Sequence, residues 1–591
     1  MSSKPEAEKN ESMPSGTTLS VSKESCIDNL KLDSCYYICI GFRVTQSDLP
    51  AKDLSSISER LIAVCPPGSI IQINPPADNE VKSSVTAWAK DRNEHNTHPL
   101  LRALTEFRKE FLIDATCTEI LVLLDRRSAP QSPSDTALNA YITDLRNKLA
   151  QILEDSDFSP EPLAIADLKN LNAARRSQPL NSTCETEISR GYPELRDRAF
   201  AGLLLNDRTG ALASVNLLNR PEQNCFIIAS TAGAGKSFLA TELACDFISR
   251  SGQAVLIDEG GSYRHLCKYL NGNNIDLSYT SPIGLNPFSG IASENDLNTL
   301  MPLFLSFFAS ILVLDHTCCQ AEIRLLETAL RDGWLKHTTD MRLEHVFEYL
   351  KAMESTSPQA KTLTEKLWPY VRGEFSKWFS QSDEPGNELN ALTAFDLYSC
   401  TREPQTQSTV IQLILTRTAK QMYLNSSKVP KLIAIDESWN LLRNVHSAQL
   451  IEAVLSILSK AQGVLGIVTQ GLEDFEHSEA LSLIFKRAAY KFILHQRPSS
   501  LDFAISKTDL VTRAEDLDLL RSLRNGIGFS EIFVKAEDCR GVYRFIPGRH
   551  TYYAYSTHPV QLKTLSAFTQ DEDSLIHGIR ELAEKDPLHI G

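Results

Sequence analysis

Short, largely apolar runs recur along the second two thirds of the chain, separated by longer stretches with helical periodicity. The runs are Cys225–Ala229, Ala254–Ile257, Leu432–Ile435, Val464–Thr469 and Lys491–Leu494. Each is short enough for a strand and lacks the polar alternation of a half-exposed one, as expected for strands buried on both faces. Between them, Phe238, Leu239, Leu243, Phe247 and Ile248 fall at helical spacing within Ser237–Ile248, so one face of that helix should pack on a sheet. Further helices are expected over Ser408–Leu424 and Gln449–Ala461. Gly202–Leu218 reads as a hairpin, and GVYRFIPGRHTYYAYS near the C-terminus as a second, β-hairpin-like tail.

The α/β rhythm breaks over about 293–400. Here LNTLMPLFLSFFASILVL, AEIRLLETALRDGWL and LEHVFEYLKAM all carry helical patterns, which predicts an all-α insertion. The greasiest stretch, Met301–Leu314, falls short of the ~20 residues that span a bilayer and reads as a buried helix.

The N-terminal third reads differently. Residues 1–26 are polar and aperiodic, the pattern of a disordered tail. Residues 27–199 mix strand runs (CYYICIGFRV, SIIQINPP, Glu119–Leu124) with helical stretches near Leu54–Val64, Val81–Leu112 and Ser134–Leu153. A helical connection is expected over 165–200. This gives a smaller α+β domain with no nucleophile–base pair or ligand cluster, hence a scaffold or docking unit ahead of an α/β domain over 200–591.

The 591 residues carry a formal net charge of −14, which argues against generic nucleic-acid binding through a basic face. The 13 cysteines show no C-x-x-C pair and no Cys/His ligand spacing, as expected of buried thiols in a reducing cytoplasm. Neither a secretory leader nor a spanning segment is legible, so any membrane association is expected to be peripheral or through a partner.

Chemistry is concentrated after the first apolar run. Cys225–Ala229 leads into Ser230-Thr231-Ala232-Gly233-Ala234-Gly235-Lys236-Ser237-Phe238 and then a helix. Small residues let successive N–H groups curl round phosphates, and the helix N-terminus adds partial positive charge. Lys236 would reach the β and γ oxygens, and Ser237 would offer its hydroxyl to Mg²⁺. Residues 231–238 are therefore the candidate ATP cradle. Ser230 stands where the G-x-x-x-x-G-K-[ST] pattern has its first glycine.

An ATPase also needs carboxylates at the end of a buried strand beside that loop. Two Asp-Glu pairs end apolar strands, Asp258-Glu259 and Asp436-Glu437. In P-loop enzymes with a catalytic glutamate the metal-binding strand usually comes late and is followed by a strand ending in a polar sensor. Gly466–Gln470 supplies such a strand after the second pair. We therefore expect Asp436 in the Mg²⁺ shell, Glu437 activating water and Gln470 sensing the γ-phosphate, with Asp258-Glu259 a strand-end turn near the site.

The phosphate loop, Asp258-Glu259-Gly260-Gly261-Ser262-Tyr263, Leu285-Asn286-Pro287-Phe288-Ser289, Ile435–Leu442 and Val468–Phe475, in this order around a helical insertion, resemble one family. It is the TraC-type ATPases that energise bacterial conjugation and type IV secretion. The resemblance covers the chain from about residue 200 onward. It implies a RecA-like P-loop NTPase core with an all-α insertion and assembly as a homo-hexamer. It also implies docking on the cytoplasmic face of the inner membrane, against inner-membrane and core components of the secretion system. Contact with transferred DNA would be indirect. An arginine from a neighbouring subunit would complete such a site; Arg417, Arg487 and Arg497 are candidates. A double-stranded DNA translocase or coupling protein, and a nucleotide-gated scaffold with weak turnover, are the rival readings.

Overall fold

The computed structural model describes residues 29–32, 35–44, 60–61, 63–65, 70–74, 79–94, 96–113, 118–125, 135–154 and 160–162 and, with short breaks, 202–585. The expected tail over 1–26, most of the helical stretch near Leu54–Val64 and the connection over 165–200 lie outside the described residues.

Two sheets organise the described residues. The smaller joins β1 (Asn29–Leu32), β2 (Cys35–Val44), β3 (Ile70–Asn74), β4 (Thr118–Asp125) and β5 (Pro160–Pro162), all antiparallel, in the order β1-β2-β4-β3 with β5 also on β2. The same stretch carries three helices, α1 (Asn79–Glu94), α2 (Pro99–Ile113) and α3 (Asp135–Glu154).

The larger sheet has twelve strands. They are β6 (Leu203–Asp207), β7 (Leu212–Val215), β8 (Cys225–Ala229), β9 (Gln253–Asp258), β10 (Asn273–Asp276), β11 (Leu392–Asp396), β12 (Lys431–Asp436), β13 (Gly463–Thr469), β14 (Tyr490–Ile493), β15 (Asn525–Gly526), β16 (Phe529–Lys535) and β17 (Arg540–Phe545). Their order is β10-β11-β9-β12-β13-β8-β14-β16-β17-β6-β7, with β15 on β16. From β10 to β14 every pairing is parallel; from β14 onward every pairing is antiparallel. The helices of this part are α4 (Lys236–Ser249), α5 (Arg264–Tyr269), α6 (Glu294–Ile311), α7 (Gln320–His337), α8 (Leu343–Ala352), α9 (Pro358–Val371) and α10 (Ser376–Phe379). Then follow α11 (Pro404–Leu424), α12 (Ser447–Lys460), α13 (Glu479–Arg487), α14 (Pro498–Lys507), α15 (Ala514–Arg521), α16 (Arg549–Tyr555), α17 (Pro559–Ser566) and α18 (Glu572–Lys585).

Because strand side chains alternate, the apolar runs feed two cores. Ile227, Val255, Ile257, Ile433, Ile435 and Ile467 face one side, where α6 packs Phe304, Phe307 and Phe308 from the greasy stretch. Phe226, Ile228, Leu256, Leu432 and Val468 face the other, against α4, α2 and the C-terminal helices. Helix α4 is thus enclosed well beyond the single face that its periodicity predicts: every residue from Leu239 to Ser249 is buried.

Three features differ from expectation. The helical insertion ends sooner than about residue 400, since Leu392–Asp396 returns as β11 between β10 and β9. Short β10 also went unanticipated; its Asn-Asn-Ile-Asp sequence has little strand character, and its parallel pairing with β11 holds it. The C-terminal tail is not a hairpin by itself. Arg540–Phe545 pairs with Phe529–Lys535 upstream, and Arg549–Tyr555 is helical.

Candidate nucleotide site

Strand β8 lies between β13 and β14, and the loop that leaves it is fastened to both. The Ser230 N–H donates to the Thr469 carbonyl at 3.1 Å, and the Thr231 N–H to the His495 carbonyl at 3.0 Å. Ser230 is fully buried and its hydroxyl donates onward to the Thr231 carbonyl at 2.7 Å. It is absent from the residues with positive φ, so its backbone has no need of glycine. The left-handed positions are Gly233 (φ 79°) and Gly235 (φ 96°). A Cβ on Gly235 would also come within 2.6 Å of Ser530 Oγ on β16. Helix α4 starts at Lys236 without a side-chain cap, which leaves its first N–H groups directed at the loop.

Lys236 and Ser237 both turn toward one carboxylate. Lys236 Nζ lies 3.2 Å from Asp436 Oδ1, and Ser237 Oγ donates to Asp436 Oδ2 at 3.4 Å. Lys236 and Asp436 are both buried. Asp436 ends β12, which is separated from β8 by β13, the strand that leads to Gln470. The strand next in sequence, β9, is one place further out. Gln470 itself is exposed, one residue beyond β13. Ala232 and Glu437 lie outside the described residues. Phe238 stacks on Tyr552 with ring centroids 5.4 Å apart and tilts against Tyr555, so its ring anchors α4 to α16.

The other acidic pair has structural partners. Asp258 accepts the Ser262 N–H at 2.5 Å, and Glu259 accepts from Gln407 at the start of α11. Burial, with the negative charge of Asp436 nearby, pushes the Asp258 carboxyl above the usual carboxylate range. Residues that sequence reasoning passed over stand around Asp436 and the loop. Tyr263 donates its phenol to Asp436 Oδ2 at 2.8 Å, Arg264 binds Asp396, and His495 and Ser530 contact the loop as described. Tyr263 sits in the quoted Asp-Glu-Gly-Gly-Ser-Tyr turn, but nothing in the sequence shows that it reaches β12.

The candidate arginines separate clearly. Arg417 is fully buried within α11, which removes it as a group that a neighbouring subunit could meet. Arg487 is exposed and pairs with Glu452 at 3.6 Å. Arg497 is exposed at the start of α14, two residues past the His495 carbonyl that holds the loop.

A Mg²⁺ ion fits this donor set: a serine hydroxyl and a buried carboxylate, hard oxygens hydrogen-bonded to each other beside a lysine. With left-handed glycines and an uncapped helix N-terminus between them and β8, the fold is that of an α/β P-loop NTPase. The family model described as TraG P-loop domain matches residues 202–586, more than half of the chain, which therefore belongs to that family of conjugation and type IV secretion P-loop ATPases.

Protein TraC of Escherichia coli (strain K12) is 26% identical over 323 residues, covering 51% of this chain and 36% of TraC. The chain thus spans little more than a third of that relative's length. VirB4 of Thermoanaerobacter pseudethanolicus is 21% identical with a TM-score of 0.46, covering 58% of this chain and 96% of that one. The plasmid coupling protein TrwB, in complex with the non-hydrolysable GTP analogue GDPNP, is 13% identical with a TM-score of 0.41, covering 62% and 92%.

Proposed function

We propose that the chain is an ATP-hydrolysing motor of a bacterial type IV secretion or conjugative transfer system, energising pilus assembly and the transfer of DNA or protein. The convergence of Lys236 and Ser237 on Asp436 carries the reading, since it brings a phosphate-loop cation, a hydroxyl and a strand-end carboxylate to one point. Backbone N–H groups of residues 231–238 cradle the phosphates, and Lys236 offsets charge on the β and γ oxygens. Ser237 and Asp436 hold the Mg²⁺, which when bound neutralises charge developing on the phosphates. Glu437 orients the attacking water and Gln470 contacts the γ-phosphate, giving ADP and phosphate. Family membership supports a homo-hexamer at the cytoplasmic face of the inner membrane, bound to inner-membrane and core components of the secretion system. Among the described residues no helix is long and apolar enough to cross a membrane.

Nucleotide binding and turnover by the purified chain test this. Lys236→Ala should lose ATP binding. Glu437→Gln should bind ATP without hydrolysing it, while Glu259→Gln keeps most activity; the reverse outcome would overturn the assignment. Strong stimulation of turnover by double-stranded DNA would instead favour a DNA translocase.

A further inference from the structure

Three consecutive residues of one turn hold three aspartates at the ends of three neighbouring strands. The Ser262 N–H donates to Asp258 Oδ2 of β9 at 2.5 Å, and the Tyr263 phenol to Asp436 Oδ2 of β12 at 2.8 Å. Arg264 Nε donates to Asp396 Oδ2 of β11 at 2.6 Å. The strands stand in register here: Asp258 pairs with Asp396, and Ile257 with Ile435, the residue before Asp436. The turn therefore spans the sheet edge and cannot shift at Tyr263 without disturbing both flanking bonds.

Tyr263 is 2% exposed, and the oxygen it holds, Asp436 Oδ2, is the one that also accepts from the Ser237 hydroxyl. One carboxylate oxygen of the metal site is thus held by both the phenol and the Ser237 hydroxyl.

We propose that Tyr263 is a positioning residue that fixes Asp436, the carboxylate it shares with Ser237 and Lys236, in the orientation a divalent cation requires, and so sets the Mg²⁺ dependence of nucleotide binding. This rests on reading Asp436 and Ser237 as the metal-holding pair. Groups that orient metal ligands typically change metal affinity by about 10–100-fold when removed. A tyrosine suits the task because its rigid ring delivers one donor at a fixed reach and has no charge to compete for the phosphates.

Tyr263→Phe keeps the ring and removes only the hydroxyl. Binding of a fluorescent ATP analogue is titrated in EDTA and across a Mg²⁺ series, with Mn²⁺ binding followed by paramagnetic resonance. The expected result is unchanged affinity in EDTA, with half-maximal Mg²⁺ and the Mn²⁺ dissociation constant raised about tenfold. Wild-type metal dependence, or an equal loss of affinity with and without metal, would overturn the proposal. Arg264→Ala, which loosens the turn from its exposed end and keeps the hydroxyl, should shift Mg²⁺ dependence the same way by a smaller factor. Should Tyr263→Phe not fold, an unshifted Arg264→Ala would overturn the proposal. Asp436→Asn separates the two levels. Mg²⁺ enhancement that survives it removes the parent reading, whereas enhancement lost there but intact in Tyr263→Phe removes only the role of Tyr263.

Discussion

Arg108 of α2 donates to Glu242 in the middle of the phosphate-loop helix at 2.9 Å, both side chains being buried. Arg92 of α1 reaches the same oxygen at 2.7 Å, and Tyr555 of α16 donates to the other at 2.8 Å. Burial would raise the Glu242 carboxyl, but the two guanidinium groups outweigh it and hold the carboxyl below its usual range. Both guanidiniums also lie over the Trp88 ring. Helices from the N-terminal stretch, expected as part of a separate docking unit, therefore form one wall around the phosphate-loop helix.

Breaking this cluster should be costly, because removing one charge leaves the others buried and uncompensated. Glu242→Gln should lower unfolding free energy by about 3–5 kcal/mol, the range for a broken buried pair. Arg108→Ala should fall in the same range, and denaturant melts of the two singles and the double should be strongly non-additive. Additive losses under about 1 kcal/mol each, the scale of exposed pairs, would show that the cluster contributes nothing beyond surface charge.

The loop makes a contrasting pair of predictions. Ser230→Gly, which restores the consensus residue, should leave nucleotide affinity within about twofold, since Ser230 adopts no left-handed conformation and already bonds Thr469 and Thr231. Gly235→Ala should abolish binding measured by calorimetry, because φ is 96° there and the new Cβ meets Ser530. Adding Ser530→Gly should recover little, as the backbone strain stays.

Much of this site was legible because its parts are local. A strand, a glycine loop, a Gly-Lys-Ser and a helix are contiguous, and the β12 and β13 runs are apolar enough to mark buried parallel strands. The choice of Asp436 over Asp258 followed from strand order, and the β13 placement between β8 and β12 accords with that order. What stayed illegible depends on pairing across the sheet. Tyr263 reaches β12, Arg264 reaches β11, and Arg92 and Arg108 cross over 130 residues of sequence to Glu242. Strand β11 was hidden for a related reason: five residues beside a long helical stretch carry too little periodicity to stand out.

Close packing under the loop gives a third prediction. Gly466 of β13 faces the Phe226 ring of β8, and a Cβ there would meet the ring at 2.3 Å. Gly466→Ala should destabilise by about 1–3 kcal/mol, the usual cost of overpacking. Phe226→Leu in the same chain should recover part of it. Thermal melts of the singles and the double would show the compensation; a double no better than Gly466→Ala would count against it.

Acid sensitivity should arise first from two half-buried histidines. His265 lies edge-on to Tyr269, and His550 stacks on Phe107 at 4.0 Å between ring centroids. Burial pushes each down to about 4 from 6.5, helped at His550 by the cations Arg580 and Arg549. A depressed folded value means that the unfolded chain binds more protons between the two values, so stability rises with pH across that interval. Their contribution is complete above pH 6.5 and is lost progressively as pH falls toward 4. Melting temperature should therefore decline from pH 6.5 downward, before most carboxylates titrate. His550→Phe, which preserves a stacking partner for Phe107 and cannot take a proton, should flatten the upper part of that decline. A slope unchanged in this variant would place the acid sensitivity elsewhere.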